Sequence, residues 1–294
     1  MNITAAQVKE LRQATGCGMM DCKKALAEAD GDMEKASDIL RTKGMAKAAK
    51  KAGRIAAEGV IALRKTTDNK QAVMLEVNSE TDFVARDENF LQFVDMVVTK
   101  ALDEKADNVE TLSNIIIEAD KTIEQVRQEL IVKIGENINL RRAVFISTEG
   151  VIGAYLHGTR IGVLVALKGG DVALAKDIAM HVAAAKPLIV TPEQADQEML
   201  TREKEIYHAQ ALETGKPEHI VEKIVAGRIK KYLDEISLQG QPFVKNPDIS
   251  VGQLLKEKNA QVEAFIRFEL GEGIEKKEED FAAEVKAQVE ATTK

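Results

Sequence analysis

Glu58-Gly59-Val60-Ile61 returns as Glu149-Gly150-Val151-Ile152, and this repetition decides the architecture before any single residue is given a role. Each copy is followed by a turn-rich stretch and an apolar run, Ala72-Val73-Met74-Leu75-Glu76-Val77 in the first and Ile161-Gly162-Val163-Leu164-Val165-Ala166 in the second. Both runs lead into helical patterns, over about 81–101 and 171–185. The match continues. Val126-Arg127-Gln128, a helical turn and Ala143-Val144-Phe145-Ile146 parallel Val251-Gly252-Gln253, Leu254-Leu255 and Phe265-Ile266-Arg267-Phe268. Each copy predicts strand, strand, helix, helix, strand.

In the second copy the last helix and strand are delayed by an insertion over about 187–240. Met199 and Ile206 stand at heptad spacing, Gly215-Lys216-Pro217 supplies a stop and restart, and Val221, Val225, Ile229, Tyr232 and Ile236 form an apolar stripe. This pattern predicts a projecting helical hairpin. Each arm buries only one face on the other, so its remaining apolar residues have two candidate partners, a second copy of the chain (a homodimer) or the parent core.

Ahead of the repeat, three short helices are expected. The first starts at the capping box Thr4-x-x-Gln7 and carries Val8 and Leu11; a loop, Gly16-Cys17-Gly18-Met19-Met20, follows. The second runs over about 21–29, and the third carries Met33, Ala36, Ile39 and Leu40 to Gly44. Lys43 to Arg54 then holds five basic residues and no acid, which reads either as a solvated helical linker or as a nucleic-acid patch; the lack of aromatics favours the linker. At the other end, Phe281, Val285 and Val289 mark one face of a charged helix over about 276–291. The fold class is α+β: an N-terminal three-helix module similar in size to a ubiquitin-associated domain, a duplicated core with an inserted antiparallel helical hairpin, and a C-terminal helix. The expected division is 1–54 for the N-terminal module and basic linker, 55–147 for core repeat 1, 148–186 with 241–273 for core repeat 2, 187–240 for the hairpin and 274–294 for the C-terminal module.

Composition narrows the function classes. The 294 residues carry 41 Lys and Arg against 48 Asp and Glu, a net charge of -7, which argues against wholesale nucleic-acid binding. No apolar run is long enough for a membrane span, so no membrane partner is expected and the chain reads as cytoplasmic. Cys17 and Cys22 at C-x4-C spacing form neither a disulfide framework nor a zinc motif. His157, His181, His208 and His219 lack metal-ligand spacing, and neither a phosphate-binding loop nor a nucleophile elbow occurs. No enzyme, metal or cofactor is expected.

One stretch stands out, Asn78-Ser79-Glu80-Thr81-Asp82-Phe83-Val84-Ala85-Arg86, where a strand ends and a helix starts. Thr81 and Asp82 are typical first-turn residues, and Phe83, Phe90, Val94 and Val97 fit the core face of that helix. The other reading has Phe83 facing outward as an apolar wedge beside a carboxylate. The pattern alone leaves both open.

The sequence closely resembles the bacterial elongation factor Ts family. The resemblance covers essentially the whole chain, through Leu11-Arg12-x-x-Thr15-Gly16-x-Gly18-Met19-Met20-Asp21-Cys22-Lys23-Lys24-Ala25-Leu26, Thr81-Asp82-Phe83-Val84-Ala85, Lys133-Ile134-Gly135-Glu136-Asn137-Ile138, His157-Gly158-x-Arg160-Ile161-Gly162-Val163-Leu164-Val165 and Gly240-Gln241-Pro242-Phe243-Val244. The helical hairpin and separate C-terminal helix are features of the family's longer form.

That resemblance implies a guanine-nucleotide exchange factor for elongation factor Tu in polypeptide elongation. It implies that Thr81, Asp82, Phe83 and Val84 displace the magnesium ion at the partner's nucleotide site, with Phe83 as the wedge and Asp82 perturbing the polar network that holds the ion. Arg12, Met19 and Met20 are implied to grip a helix of the partner's nucleotide-binding domain, and His157 to approach its phosphate-binding region. The C-terminal helix is expected to touch the partner too. Exposed, flexible thioethers suit a gripping role, while the bland expectation has one of the two methionines capping the module's own core.

Overall fold

The computed structural model describes residues 3–15, 17–118 and 120–275. Helices α1 (Ala5–Thr15), α2 (Met19–Glu28) and α3 (Met33–Lys51) enclose Leu11, Cys22, Leu26, Ala36 and Leu40. The capping box at the head of α1 is formed: the Thr4 amide donates to Gln7 Oε1 at 3.0 Å, and the Gln7 amide to Thr4 Oγ1 at 3.2 Å. Two boundaries differ from the sequence expectation. α2 starts at Met19, with Gly18 as its N-cap, so the two methionines form its first turn instead of ending a loop.

The second difference is that α3 continues through Gly44 and absorbs most of the basic stretch. One interior glycine costs about 1 kcal/mol of helix propensity. Here it permits close packing, since a Cβ at Gly44 would stand 3.2 Å from Val132 Cγ2. Ala48, one turn further on, is buried in the core of the first repeat. Four of the five cations enter intramolecular pairs: from the helix Lys43 with Glu28 at 2.6 Å, Lys47 with Asp21 at 2.8 Å and Lys51 with the Gly135 carbonyl, and just beyond its end Arg54 with Glu80 at 3.4 Å. The stretch is thus helical as far as Lys51, and most of its charges are met within the chain.

The first repeat comprises β1 (Glu58–Lys65), β2 (Gln71–Ser79), α4 (Glu88–Asp103), α5 (Val109–Ser113), β3 (Ile116–Glu118), β4 (Lys121–Thr122), α6 (Ile123–Ile134) and β5 (Ile138–Ser147). The second comprises β6 (Val151–His157), β7 (Ile161–Lys168), α7 (Val172–Ala185), the hairpin arms α8 (Gln197–Leu212) and α9 (Glu218–Ile236), β8 (Pro242–Phe243), β9 (Asn246–Ser250), α10 (Val251–Glu257) and β10 (Gln261–Glu269). Stripped of α5, the β3-β4 ladder, α8, α9 and the β8-β9 ladder, both halves run strand, strand, helix, helix, strand. Their antiparallel sheets are ordered β1-β2-β5 and β6-β7-β10, each with its second strand central.

Alternation along the central strands builds four layers. Val73, Leu75 and Val77 of β2 face α4 and α6, while Ala72 and Met74 face the other sheet. Val163, Val165 and Leu167 of β7 face α7 and α10, and Leu164 faces inward. Ile61, Ile152, Phe268 and Leu270 complete the seam between sheets. A Cβ at Gly162 would lie 2.5 Å from Ile61 Cγ2 and 2.6 Å from Met74 Sδ, a measure of how tightly the sheets approach.

Hydrogen bonds across the seam repeat with a two-fold relation. The Ile61 amide donates to the Thr159 carbonyl at 2.8 Å, and the Ile152 amide to the Asn69 carbonyl at 2.7 Å, so each hairpin turn grips the first strand of the other repeat. Glu76 is buried there and accepts from Arg141 Nη1 at 2.9 Å, Arg142 Nε at 2.6 Å, Asn78 Nδ2 at 3.1 Å and the Gly271 amide at 2.8 Å. A register shift opposite Glu76 and Val77 leaves Arg141 as an extra residue in β5, which lets two successive arginines reach one carboxylate. Burial pushes the Glu76 carboxyl up, but the Gly271 amide, Arg141, Asn78 and Arg142 together hold it below the usual carboxylate range.

In the insertion the arms lie on each other, with Tyr232 Oη donating to Met199 Sδ at 3.3 Å and Arg228 to Gln210 Oε1 at 2.8 Å. The helix read over 276–291, and with it nearly all of the expected module 274–294, lies outside the described residues. No helix among the described residues is long and apolar enough to cross a membrane.

Candidate partner interface

Where β2 ends, the chain does not pass directly into a helix. Ser79 Oγ donates to the Thr81 carbonyl at 2.9 Å, and residues 81–83 turn into a short 3-10 helix, Val84–Arg86. α4 begins only at Glu88, because the N-cap is Asp87, whose carboxylate accepts from the Asn89 and Phe90 amides at 2.9 and 3.2 Å. Thr81 and Asp82 are therefore not first-turn residues of α4. Asp82 instead pairs with Arg86 at 2.9 Å.

This displacement separates Phe83 from the helix face it could have joined. Phe90, Phe93, Val94 and Val97 are buried under β2, whereas Phe83 is 81% exposed. Val84, directly after it, is buried in the first core and anchors the turn. From the other side, Glu136 accepts from the Thr81 amide through Oε2 at 3.0 Å and from the Thr81 hydroxyl through Oε1 at 2.8 Å. An exposed phenylalanine thus stands on a turn fixed at both ends.

The remaining candidates lie on two other elements. Arg12 is exposed in the last turn of α1, and Met19 and Met20, 58% and 62% exposed, begin α2; neither methionine caps the module's own core. His157 ends β6, exposed, with Tyr155 Oη 3.2 Å from its Nδ1. The turn after it reaches the first sheet, where Arg160 pairs with Glu58 at 3.1 Å, beside the Glu58–Ser79 end from which the Phe83 segment departs. The second repeat's turn and the Thr81–Val84 segment therefore border the same end of β1, while Arg12, Met19 and Met20 belong to the separate three-helix module.

Among the described residues no group of three or more His, Cys, Asp or Glu side chains is arranged to hold a metal ion. Cys17 and Cys22 are free thiols, and burial pushes the Cys22 thiol up. Glu136 and Asn137, in the block Lys133–Ile138, show no role by residue type or spacing. Their only local signal is the Gly135 before them, which ends α6 at φ 94°.

Residues 80–272 match the sequence model of the family described as Elongation factor TS. Elongation factor Ts of Legionella pneumophila (strain Paris) is 58% identical over 287 residues, covering 98% of each chain. Those of Idiomarina loihiensis and Methylococcus capsulatus are 54% identical over 294 residues, covering each chain fully, and 56% identical over 293, covering 99% of this chain and all of the relative.

The chain belongs to the elongation factor Ts family. As an elongation factor Ts family member it is a protein of translation elongation, and its α+β architecture is the family's. The identity spans the N-terminal helices and the hairpin as well as the core, so the surfaces bearing Arg12, Met19, Met20, Phe83 and His157 all lie within the matched length.

Proposed function

We propose that this chain is the guanine-nucleotide exchange factor for elongation factor Tu: it binds the GDP complex in the cytoplasm, displaces magnesium and GDP, and leaves the site open for GTP. The observation that carries this reading is the exposure of Phe83 on a turn whose neighbours are anchored. A large apolar side chain held away from its own core has a use when another protein receives it. Phe83 enters between helices of the partner's nucleotide-binding domain, Val84 keeps the turn seated on its own core, and Thr81 and Asp82 bring polar atoms beside the ion's network. Arg12, Met19 and Met20 grip the same domain, and His157 approaches its phosphate-binding region. The reaction makes and breaks no covalent bond, so the chain acts without catalytic groups, metal or cofactor of its own.

Exchange is a coupling between two binding events: the factor prefers nucleotide-free partner, and nucleotide weakens the factor's hold by the same ratio. Driving a population from 1:99 to 99:1 takes about 5.5 kcal/mol of differential affinity. Burying one Phe side chain contributes roughly 1.5–3 kcal/mol. The wedge therefore needs the N-terminal grip and the second-repeat contact to act with it. Phe83→Ala is expected to slow GDP release from elongation factor Tu by about tenfold or more while the complex still forms. An unchanged release rate would remove Phe83 from the mechanism.

A further inference from the structure

Phe83 makes little contact with its own protein, so its direction is set by what holds the residues around it. Downstream, Val84 is buried, and the Arg86 and Asp87 amides donate to the Phe83 and Val84 carbonyls at 3.1 and 2.9 Å. The exposed Asp82–Arg86 pair is a weak constraint. Upstream, among the described residues, Glu136 is the one side chain from a distant part of the chain bonded to residues 81–84, and it takes both polar hydrogens of Thr81.

The turn that carries Glu136 has further attachments. The Asn137 amide donates to Glu80 Oε1 at 2.6 Å, and the buried Asn137 side chain donates to the carbonyls of Arg54 at 2.9 Å and Ala52 at 3.5 Å, in the segment leaving α3. Lys51, in the last turn of α3, donates to the Gly135 carbonyl. Three consecutive residues thus join the end of the N-terminal module to the start of the Phe83 turn.

We propose that Glu136 is the positioning residue for Phe83, and that the Gly135–Asn137 turn sets the placement of the N-terminal module relative to that side chain. The inference rests on the exchange reading above. A wedge that swings freely must be ordered at the moment of binding, at a cost subtracted from the preference for nucleotide-free partner. A pedestal shared with the grip means that docking of α1 and α2 delivers Phe83 already aimed.

The chemistry separates Gln from Ala at this position. With Glu136→Gln, the side-chain carbonyl oxygen can take the place of Oε2 and accept from the Thr81 amide, while the Thr81 hydroxyl reverses and accepts from the new NH2 group. With Glu136→Ala both bonds are lost. Saturating GDP release from elongation factor Tu should therefore fall by about tenfold in Glu136→Ala and stay within about threefold of the parent in Glu136→Gln. Affinity for nucleotide-free elongation factor Tu should weaken with it, since the ordering cost is met in forming that complex. In a double-mutant cycle, Glu136→Ala added to Phe83→Ala should slow release no further than Phe83→Ala alone.

Amide hydrogen exchange of the free protein supplies a readout that does not involve the partner. Residues 81–85 should lose protection in Glu136→Ala and keep it in Glu136→Gln, with Val94 to Val98 of α4 unchanged in both. Additive slowing in the cycle, a Gln variant as slow as the Ala variant, or unaltered protection of residues 81–85 would each overturn the proposal. If Phe83→Ala alone leaves release unchanged, the wedge reading falls; lost protection at Thr81 would then still uphold the positioning by Glu136, and retained protection would overturn it.

Discussion

Gly59 and Gly150, the glycines of the repeated motif, have the same physical reason. A Cβ at Gly59 would lie 2.1 Å from the Val77 carbonyl oxygen, and one at Gly150 would lie 2.0 Å from that of Leu167, so each is required where a repeat's first strand crosses its second. Neither neighbour can yield, because both are backbone in a central strand. Gly150→Ala is expected to cost about 2 kcal/mol or more of stability, read by chemical denaturation. Glu76→Gln keeps the shape of the buried acid but leaves Arg141 without its counter-charge and Arg142 with only the longer pair to Glu272 at 3.5 Å. It should cost about 3 kcal/mol, the low end for breaking a buried pair, since both arginines retain some solvent. Lys186 and Arg267 hold the Glu269 carboxyl down to about 2. Glu76 and Glu269 are both depressed, so their stabilisation is present above pH 4.5 and is lost as pH falls toward 2, where melting temperatures should drop steeply.

At the scale of elements, the root of the helical hairpin depends on one buried histidine. His181 of α7 donates from Nε2 to Gln241 Oε1 at 2.9 Å and accepts at Nδ1 from the Val244 amide at 3.2 Å, so only the neutral ring fits. Gln241 in turn donates to the Glu235 carbonyl at 2.6 Å, in the last turn of α9. Burial lowers the pKa of His181, and its bond to Gln241 raises it by less. A base whose folded pKa is depressed stabilises the fold above its ordinary value of 6.5 and loses that contribution as pH falls below it. Thermal stability should therefore decline from about pH 7 to 5.5, with a shallower decline in His181→Gln. Elements whose ends are set locally were legible in the sequence: the Thr4 capping box, the paired strand runs and the hairpin stripe. Those set from a distance were not. Thr81 and Asp82 look as much like helix caps as Asp87 does, and the choice falls to Asp87 while Thr81 is engaged by Glu136, 55 residues away. α3 passes Gly44 because Val132 packs there.

For the whole molecule, duplication was the most readable feature, because period-two alternation and the paired glycines each serve contacts that the two repeats make alike. The exposure of Phe83 was not readable from spacing, since residues 83 and 90 sit one heptad apart on what looks like a single face; resemblance to the family pointed to it. We propose the division into residues 1–54, 55–147, 148–186 with 241–273, and 187–240 as the units that present separate surfaces to one partner, with 274–294 as a fifth. Single changes in one unit should then weaken exchange by factors that multiply for distant pairs. Met20→Ala with His157→Ala should slow GDP release by about the product of the single effects, and strong departure from that product would indicate a smaller, shared contact. The most direct measurement is the release of a fluorescent GDP from elongation factor Tu, with excess unlabelled nucleotide and this protein at catalytic amounts. Acceleration that saturates, with each molecule serving many partner molecules, is the expected result. Stable binding to elongation factor Tu without any acceleration would contradict it and make the chain a holder of its partner.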